Sequence, residues 1–254
     1  MRGQNGMGRL RYPDATAHDL PGIVGRMPSR VAESRGGVPL ALAATLVLAF
    51  VLAFMAVVLL QGEPVRAQTQ ATSKYVRLTF DDVPVRGNTR RVLDVLRNKR
   101  VKATFFVIGQ QARANPALVR RAHHEGHSVQ NHSYTHANLT TLSNTGIRRE
   151  LSRTNRAIVD AGVPRPYRFR PPYGATNARV RSIGTSLGLT QTLWTVDPRD
   201  WADPPASVVC SRVLNNVRSG SIVLLHDGTG ANTDNALPCI INGLRARGYS
   251  FRKL

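Results

Sequence analysis

Two short polar clusters in this sequence have residue types that can bind a metal ion and move protons. Asp81 and Asp82 follow the apolar run 76–80, which is typical of a strand. His132 and His136 stand four residues apart, a spacing that lets two imidazoles on a helical turn share one metal. One carboxylate with two imidazoles leaves a coordination position open, as in catalytic zinc sites. The other carboxylate is then available as a base.

Each cluster taken singly also has a plainer interpretation. Two aspartates after a strand commonly cap a helix or face solvent in a turn, and histidines at this spacing also occur on protein surfaces. The pattern is not that of the HExxH zinc peptidases, because Ser133 occupies the position of their catalytic glutamate. The catalytic interpretation therefore depends on the downstream sequence.

Three further polar clusters follow predicted strands, at residues 170–174, 197–201 and 224–228. In α/β barrels the chemistry lies at the carboxyl ends of the strands. Surface residues placed at random would not select the same end of strand after strand. The five clusters together therefore indicate one site.

The clusters resemble the motifs of polysaccharide deacetylases with a NodB homology domain, carbohydrate esterase family 4. In chain order they read TFDD at 79–82, HSYTH at 132–136, RPPYG at 170–174, DPRDW at 197–201 and LLH at 224–226. The resemblance covers residues 74–254. One departure is Val83, which stands where the family's first motif usually has glycine and which bears on the substrate-side rim beside Asp81.

Beyond residue 74 the pattern alternates between strands and helices, which predicts an α/β fold with parallel strands and crossover helices. A helix is predicted at 116–124, for example, and strands at 189–196 and 221–225. An open doubly wound sheet would satisfy the same pattern. The resemblance implies instead an irregular (β/α) barrel with seven or eight strands.

The resemblance also implies a ligand set and a base. Asp82, His132 and His136 would hold a divalent metal, expected to be Zn²⁺, which would bind the attacking water and polarise the acetyl carbonyl. Asp81 would take the proton of that water, and Arg170 would pair with Asp81 and keep it ionised.

The remaining motif residues receive roles in the same way. His226 would protonate the leaving group, and Asp200 would orient that imidazole and favour its charged form. The backbone N–H of Tyr173 would stabilise the oxyanion. Trp201 and Leu224 would form walls of the acetyl pocket. His123, His124 and His127 are interpreted as surface or packing residues, and Asp227 as a cap of the loop after its strand.

The N-terminal third contains an uncharged segment at residues 38–60. Its length suits a bilayer core and exceeds the usual core of a cleaved signal peptide, but residues 65–67 offer a small-x-small cleavage site. A membrane anchor and a cleaved signal both remain open. Arginines before the segment favour an N-terminus on the cytoplasmic side, which would place the catalytic domain on the outer side of the membrane. Residues 1–37 are predicted to be a disordered basic cytoplasmic tail, and residues 61–73 a linker to the deacetylase domain at 74–254.

The chain is strongly basic, with a formal net charge of +20 over 254 residues. Such an excess would ordinarily suggest nucleic acid, but export favours anionic wall polymers or lipid headgroups, or a solvated surface without a partner. The two cysteines, Cys210 and Cys239, lie in the part expected to be exported, where a disulfide can form. Two buried free thiols are the alternative.

These observations predict a membrane-anchored or secreted enzyme that removes acetyl groups from a polysaccharide. An N-acetylated glycan such as peptidoglycan or chitooligosaccharide is the favoured substrate, and acetylated xylan is the alternative ester. A catalytically silent wall-binding protein with the same fold is the competing class.

Overall fold

The computed structural model describes residues 40–60, 74–228 and 232–254. The chain has two compact units, Met1–Ala67 and Gln68–Leu254, and the first contains helix α1 at Leu40–Leu60. Among the residues that the structure describes, no helix is long and apolar enough to cross a membrane. The tail predicted at 1–37 and the linker at 61–73 lie outside the described residues. The anchor or signal role of residues 38–60 stays a prediction.

The second unit contains a seven-stranded sheet whose described strand pairs are all parallel. The strands are β1 (Tyr75–Val83), β2 (Thr104–Val107), β3 (Ser128–Asn131), β4 (Arg168–Phe169), β5 (Thr190–Gln191), β6 (Ile222–His226) and β7 (Ser250–Phe251). The helices are α2 (Asn88–Asn98), α3 (Gly109–Ala114), α4 (Pro116–His124), α5 (Asn144–Asp160), α6 (Ala178–Ser186), α7 (Ala206–Asn216) and α8 (Thr233–Ala246). Short 3₁₀ turns lie at Leu139–Thr141, Pro172–Gly174 and Asp200–Ala202. The predicted α/β class is confirmed.

The sheet runs in the order β5-β4-β3-β2-β1-β6, with β7 paired to the start of β1. The segment that follows β5 pairs with β6, the strand at the opposite end of this strand order. The amides of Thr195 and Val196 both donate to the Ile222 carbonyl, and the amide of Leu224 donates to the Val196 carbonyl. Residues 190–196 therefore pair with β4 at their start and with β6 at their end, in agreement with an irregular (β/α) barrel.

The central strand β1 separates the apolar core from the polar site by simple alternation. Val76, Leu78 and Phe80 are fully buried in the main hydrophobic cluster. Thr79 and Asp81 are also buried, but they point to the opposite face because successive strand side chains alternate. One face of β1 thus stabilises the fold while the other carries polar groups on the opposite side of the sheet.

A smaller apolar cluster supports the strand that carries Arg170. Phe169 of β4 packs there against α6, where Gly184 permits the close approach. A Cβ atom at Gly184 would lie 2.3 Å from the Phe169 ring, so a larger residue would displace either the helix or the strand. The position of Arg170, the next residue, depends on this contact.

Two local predictions differ from the structure. The strand predicted at 189–196 is reduced to β5 and a single bridge at Val196, because the carbonyls of Thr192 and Leu193 accept hydrogen bonds from the Arg170 side chain. Helix α3 was not predicted, since only Gly109 and Ala112 of its six residues are buried and no apolar periodicity marks it. The helix predicted at 116–124 matches α4.

Candidate active site

Three side chains at the carboxyl ends of β1 and β3 form a candidate metal site. The ligand atoms of Asp82, His132 and His136 all lie within 4.8 Å of one another. Nε2 of His136 is 3.1 Å and Nε2 of His132 is 3.4 Å from Oδ1 of Asp82. This buried Oδ1 makes no hydrogen bond among the described residues. Burial raises the pKa of Asp82, but the two imidazoles outweigh burial and hold that pKa well below its usual value.

The proton arrangement of His132 also suits a metal ligand. Nδ1 of His132 lies 2.7 Å from the carbonyl oxygen of Arg170. Because a carbonyl only accepts, Nδ1 carries a proton, and in the neutral imidazole Nε2, on the side of Asp82, is the nitrogen with the lone pair. Metal-binding histidines are commonly oriented by such a bond from the second ring nitrogen. The residues present therefore fit a divalent cation.

The expectation that His132 and His136 share a helical turn is wrong. The residues after β3 form an irregular loop, in which Ser133 has a φ of 63° and His136 a φ of 62°. Both angles lie in the left-handed region, which is unfavourable for residues other than glycine. The loop packs against the start of α3, where a Cβ at Gly109 would lie 2.4 Å from the Tyr134 ring.

Two buried side chains hold this loop in its strained form. The amides of Tyr134 and Thr135 both donate to Oε2 of Glu150 at 2.8 Å, and the amide of Ser133 donates to Oδ1 of Asn131 at 2.9 Å. Glu150 belongs to α5, so a helix distant in sequence fixes the peptides between the two histidines. Glu150 and Asn131 belong to none of the five motifs, so no sequence pattern marks them as part of the site.

Arg170 is fully buried behind Asp81, and its guanidinium donates four hydrogen bonds. It donates to Oδ1 of Asp81 at 2.7 Å and to Oγ1 of Thr79 at 2.9 Å. The carbonyls of Thr192 and Leu193 accept from it at 3.2 and 3.0 Å. Burial lowers the pKa of Arg170 and Asp81 opposes this effect, but a guanidinium stays charged in proteins. The charge of Arg170 therefore fixes one oxygen of Asp81.

The second oxygen of Asp81 is directed toward the metal site, with Oδ2 lying 3.6 Å from Nε2 of His132. Across the β1–β6 pairing, Asp81 is in register with His226. Asp81 thus occupies the place between the candidate metal ligands and the second histidine centre.

His226 ends β6 and is held by Asp200. Its Nδ1 lies 2.8 Å from Oδ1 of Asp200, and its backbone amide donates to Oδ2 of the same residue at 2.7 Å. The hydroxyl of Thr233 also donates to Oδ2, at 2.6 Å. Burial lowers the pKa of His226, but the hydrogen bond and charge of Asp200 outweigh burial, with help from Asp81 and Asp82, so the pKa is raised. His226 is therefore suited to hold and deliver a proton.

The two centres open into one cleft of about 760 Å³. The ionisable residues that line it are Asp81, Asp82, His132, His136, Asp197 and His226. Arg170 and Asp200 do not line the cleft, because each lies behind the residue that it orients. The structure thus brings all seven predicted catalytic and metal-binding residues together. Five of them line the cleft, and Arg170 and Asp200 lie behind the residues that they orient.

The predicted substrate-binding residues also reach the cleft. Tyr173 has a φ of 62°, is 70% exposed, and its ring meets that of His136 edge to face at 4.7 Å. Trp201 is 45% exposed and Leu224 is buried, and both line the cleft. Trp194 lines it as well but was not predicted, because it fell within the overlong strand prediction.

The departure at Val83 does not reach the substrate side. The Val83 side chain is 2% exposed and belongs to the main apolar cluster. Val85, two residues later, lines the cleft instead. The Val83 side chain therefore forms no part of the rim beside Asp81.

The other singled-out residues lie outside this constellation. Cys210 of α7 and Cys239 of α8 are bonded to each other in a disulfide. His127 is buried and its Nδ1 accepts from the amide of Ala103, as a packing residue does. Burial raises the pKa of Asp227 to about 8, the nearby Thr89 hydroxyl opposes this rise, and Asp82 adds to it. Neither carboxylate oxygen of Asp227 finds a hydrogen-bond partner among the described residues, so the structure gives no support to its expected capping role.

Comparisons with known proteins identify the family of this chain. Residues 68–192 match the family described as Polysaccharide deacetylase. A chitooligosaccharide deacetylase of Rhizobium leguminosarum bv. trifolii is 43% identical, over 70% of this chain and 89% of that protein. A peptidoglycan-N-acetylglucosamine deacetylase of Listeria monocytogenes is 39% identical over 71% of this chain, which corresponds to 38% of that protein. A bifunctional xylanase/xylan deacetylase of Cellvibrio japonicus is 38% identical over 69% of this chain and 26% of that protein.

Solved structures show the same likeness. A family 4 carbohydrate esterase from Streptomyces lividans, in complex with acetate, superposes with a TM-score of 0.67 at 42% identity, over 70% of this chain and 91% of that one. A family 4 pseudoenzyme from Bacillus anthracis superposes with a TM-score of 0.68 at 34% identity, over 72% of this chain and 64% of that one. By sequence and fold together, this chain belongs to the polysaccharide deacetylase family, carbohydrate esterase family 4, and is a deacetylase of that family.

Proposed function

We propose that this protein is a metal-dependent hydrolase that removes acetyl groups from an N-acetylated glycan of the peptidoglycan or chitooligosaccharide type. The observation that carries the proposal is the meeting of two centres in one cleft. The buried Asp82 with two imidazoles forms one centre, and the Asp200–His226 pair forms the other. Asp81 stands between them, held in place by a hydrogen bond from Arg170.

Asp82, His132 and His136 would hold the cation, and we expect Zn²⁺ because one carboxylate and two imidazoles suit it. When bound, the ion supplies Lewis acidity for water activation and carbonyl polarisation. Two features of the described residues favour binding of the ion. The Arg170 carbonyl orients the His132 ring through Nδ1, and Oδ1 of Asp82 has no hydrogen-bond partner.

Asp81 is assigned the role of general base. Its Oδ1 is occupied by Arg170, so Oδ2, on the side of the metal site, is the atom that receives the proton of the attacking water. The hydrogen bond from the guanidinium prevents the Asp81 side chain from rotating away.

His226 is assigned the role of general acid. Asp200 holds Nδ1, which leaves Nε2 as the nitrogen that delivers a proton to the departing amine as the carbon–nitrogen bond breaks. Water supplies the hydroxyl of the acetate product, so the atoms balance without another reactant. The backbone N–H of Tyr173, at the turn beside His136, would donate to the acetyl oxygen.

The sugar is expected to lie against the exposed aromatic rings of the cleft. Tyr173 and Trp201 present large apolar surfaces with a polar tip, which suits the faces and hydroxyls of a pyranose ring. The relatives named for chitooligosaccharide and peptidoglycan N-acetylglucosamine support an N-acetyl substrate. The relative named for xylan supports an O-acetyl ester as the second candidate.

We also propose that the catalytic unit acts outside the cytoplasm, either membrane-anchored or secreted after cleavage near Ala67. The Cys210–Cys239 disulfide supports this, since disulfides persist in oxidising compartments. The uncharged segment 38–60 with arginines before it supports it further. Protease added to intact cells should then cleave the catalytic unit, whereas full protection in intact cells would contradict an outside location.

Acetate release from peptidoglycan, chitooligosaccharide and acetylxylan, with and without a chelator, tests the proposed chemistry. We expect the N-acetylated glycans to be the best substrates and the chelator to abolish turnover until a divalent metal is restored. Release that is insensitive to a chelator would contradict metal dependence. No release from any substrate by metal-loaded protein would support a silent wall-binding protein, the kind of outcome that the pseudoenzyme relative illustrates.

A further inference from the structure

A second cavity, of about 460 Å³, lies beside the active-site cleft and is strongly basic. Its charged lining consists of Arg86, Arg90 and Arg121, and residues 114–118 complete the wall. None of its lining residues is acidic. We call this cavity the basic pocket.

Two of the three guanidiniums in the basic pocket are uncompensated. Arg121 forms ion pairs with Asp94 at 2.6 Å and with Glu125 at 2.7 Å, and these two carboxylates compensate its charge. The exposed side chains of Arg86 and Arg90 make no hydrogen bond, ion pair or ring contact in the part of the chain that the structure describes. Like charges that share a cavity repel, and an anion between them would remove that repulsion.

The remaining wall of the basic pocket is the first turn of α4. Asn115 is the N-cap residue, but its side chain makes no capping hydrogen bond, and Pro116 follows it. The first N–H groups of a helix lack partners within the helix and carry its positive dipole end. Pro116 has no N–H, and the Leu118 amide donates to the Asn115 carbonyl at 3.1 Å. This nine-residue helix therefore adds the Ala117 amide and its positive dipole end to the charge of the arginines.

The basic pocket and the cleft are lined by neighbouring residues of two elements. In the loop after β1, Val85 lines the cleft and the next residue, Arg86, lines the basic pocket. On α3, Gln111 lines the cleft and Ala114, three residues later on the same helix face, lines the basic pocket. Since consecutive Cα atoms are about 3.8 Å apart, the two walls lie close together at Val85 and Arg86. We therefore take a glycan chain of a few sugars to be long enough to contact both.

We propose that the basic pocket binds an anionic substituent, a carboxylate or a phosphate, carried by a sugar next to the one that is deacetylated. This inference rests on the proposed deacetylase function and names its substrate class, which is a negatively charged glycan in preference to a neutral one. Arginine suits the role because its planar fork binds both oxyanions through two parallel hydrogen bonds.

The main alternative is that Arg86 and Arg90 only contribute to the general charge of a chain with a net charge of +20. In that case any pair of exposed, unpaired arginines would affect anionic substrates equally. Arg149 of α5 and Arg181 of α6 provide the matched control, because both are exposed, line none of the described cavities named above and make no side-chain contact within the described residues.

The experiment compares the full-length, metal-loaded enzyme with the double variants Arg86→Ala/Arg90→Ala and Arg149→Ala/Arg181→Ala at fixed ionic strength. Three substrates are used: a neutral N-acetylglucosamine oligomer, a peptidoglycan fragment with free lactyl carboxylates, and the same fragment carrying a phosphate ester. The readouts are kcat and KM for acetate release, with the unfolding midpoint as a check on the fold.

We expect Arg86→Ala/Arg90→Ala to raise KM for one or both anionic substrates about tenfold, as two partly exposed ion pairs allow, and to leave the neutral substrate unchanged. The control should change neither, and the anion with the larger effect is the one that the pocket accepts. Equal effects of the two double variants, or an unchanged ratio of anionic to neutral KM, would overturn the inference. Wild-type protein that releases no acetate from any substrate would instead contradict the proposed function.

Discussion

Replacing Asp200 by asparagine should separate the proton-delivering centre from the rest of the site. Asp200 accepts from Nδ1 and the backbone amide of His226 at 2.8 and 2.7 Å, and from the Thr233 hydroxyl at 2.6 Å. Asparagine is nearly isosteric with aspartate but carries no charge. Because burial alone lowers the pKa of His226, the pKa should fall when the charge of Asp200 is removed.

The direction of the pH effect follows from the role of His226 as an acid. The protonated form is active, so turnover is present below the pKa of His226 and is lost as the pH rises through it. The alkaline limb of the pH profile of kcat should therefore move to lower pH in Asp200→Asn. At neutral pH the loss on an amide substrate should reach about 10²-fold or more, the usual contribution of a general acid.

The assay is acetate release across pH from an N-acetyl substrate and from an activated acetate ester, whose leaving group needs no proton. The ester should lose much less activity than the amide. Asp203→Asn is the matched control, since Asp203 is exposed, accepts from Asn232 and makes no described contact with His226. An unmoved alkaline limb, or equal losses on both substrates, would refute the assignment of His226 as the acid.

Two further outcomes test the support of the site and the fold. Glu150→Gln should weaken metal binding about tenfold or more without abolishing it, since it removes the charge that holds the Tyr134 and Thr135 amides; unchanged affinity in a metal titration would contradict a positioning role. Replacing Cys210 and Cys239 together by serine should lower the free energy of unfolding by about 3–4 kcal/mol, because the disulfide closes a loop with a sequence separation of 29. Urea unfolding with and without a reductant measures this effect, and equal stability of the variant and the oxidised wild type would contradict it.

The sequence predicts the convergence of the site because its residues share one rule. In a parallel sheet the carboxyl ends of the strands meet at one edge, so residues after β1, β3, β4 and β6 must lie together. The alternation of β1 also predicts that Asp81 points away from the apolar side chains of the same strand. Periodicity and residue type are sufficient for these conclusions.

Other features depend on contacts that no local pattern records. The left-handed angles of the His132–His136 loop are held by Glu150, on a helix that begins after the loop, so spacing alone suggested a helical turn instead. The strand predicted at 189–196 is shortened by the Arg170 side chain, which takes carbonyls that would otherwise join the ladder.

The two adjacent aspartates offer the most direct test of the account, because they are assigned different work. Asp82→Ala removes a metal ligand, so metal content and acetate release should fall together. Asp81→Asn keeps the shape of the side chain but cannot take a proton, so the metal should stay bound while turnover falls at least about a hundredfold. The measurement is metal stoichiometry by elemental analysis beside acetate release for both variants. Loss of metal in Asp81→Asn with metal retained in Asp82→Ala would reverse the roles, and full metal and full activity in both variants would contradict the site altogether.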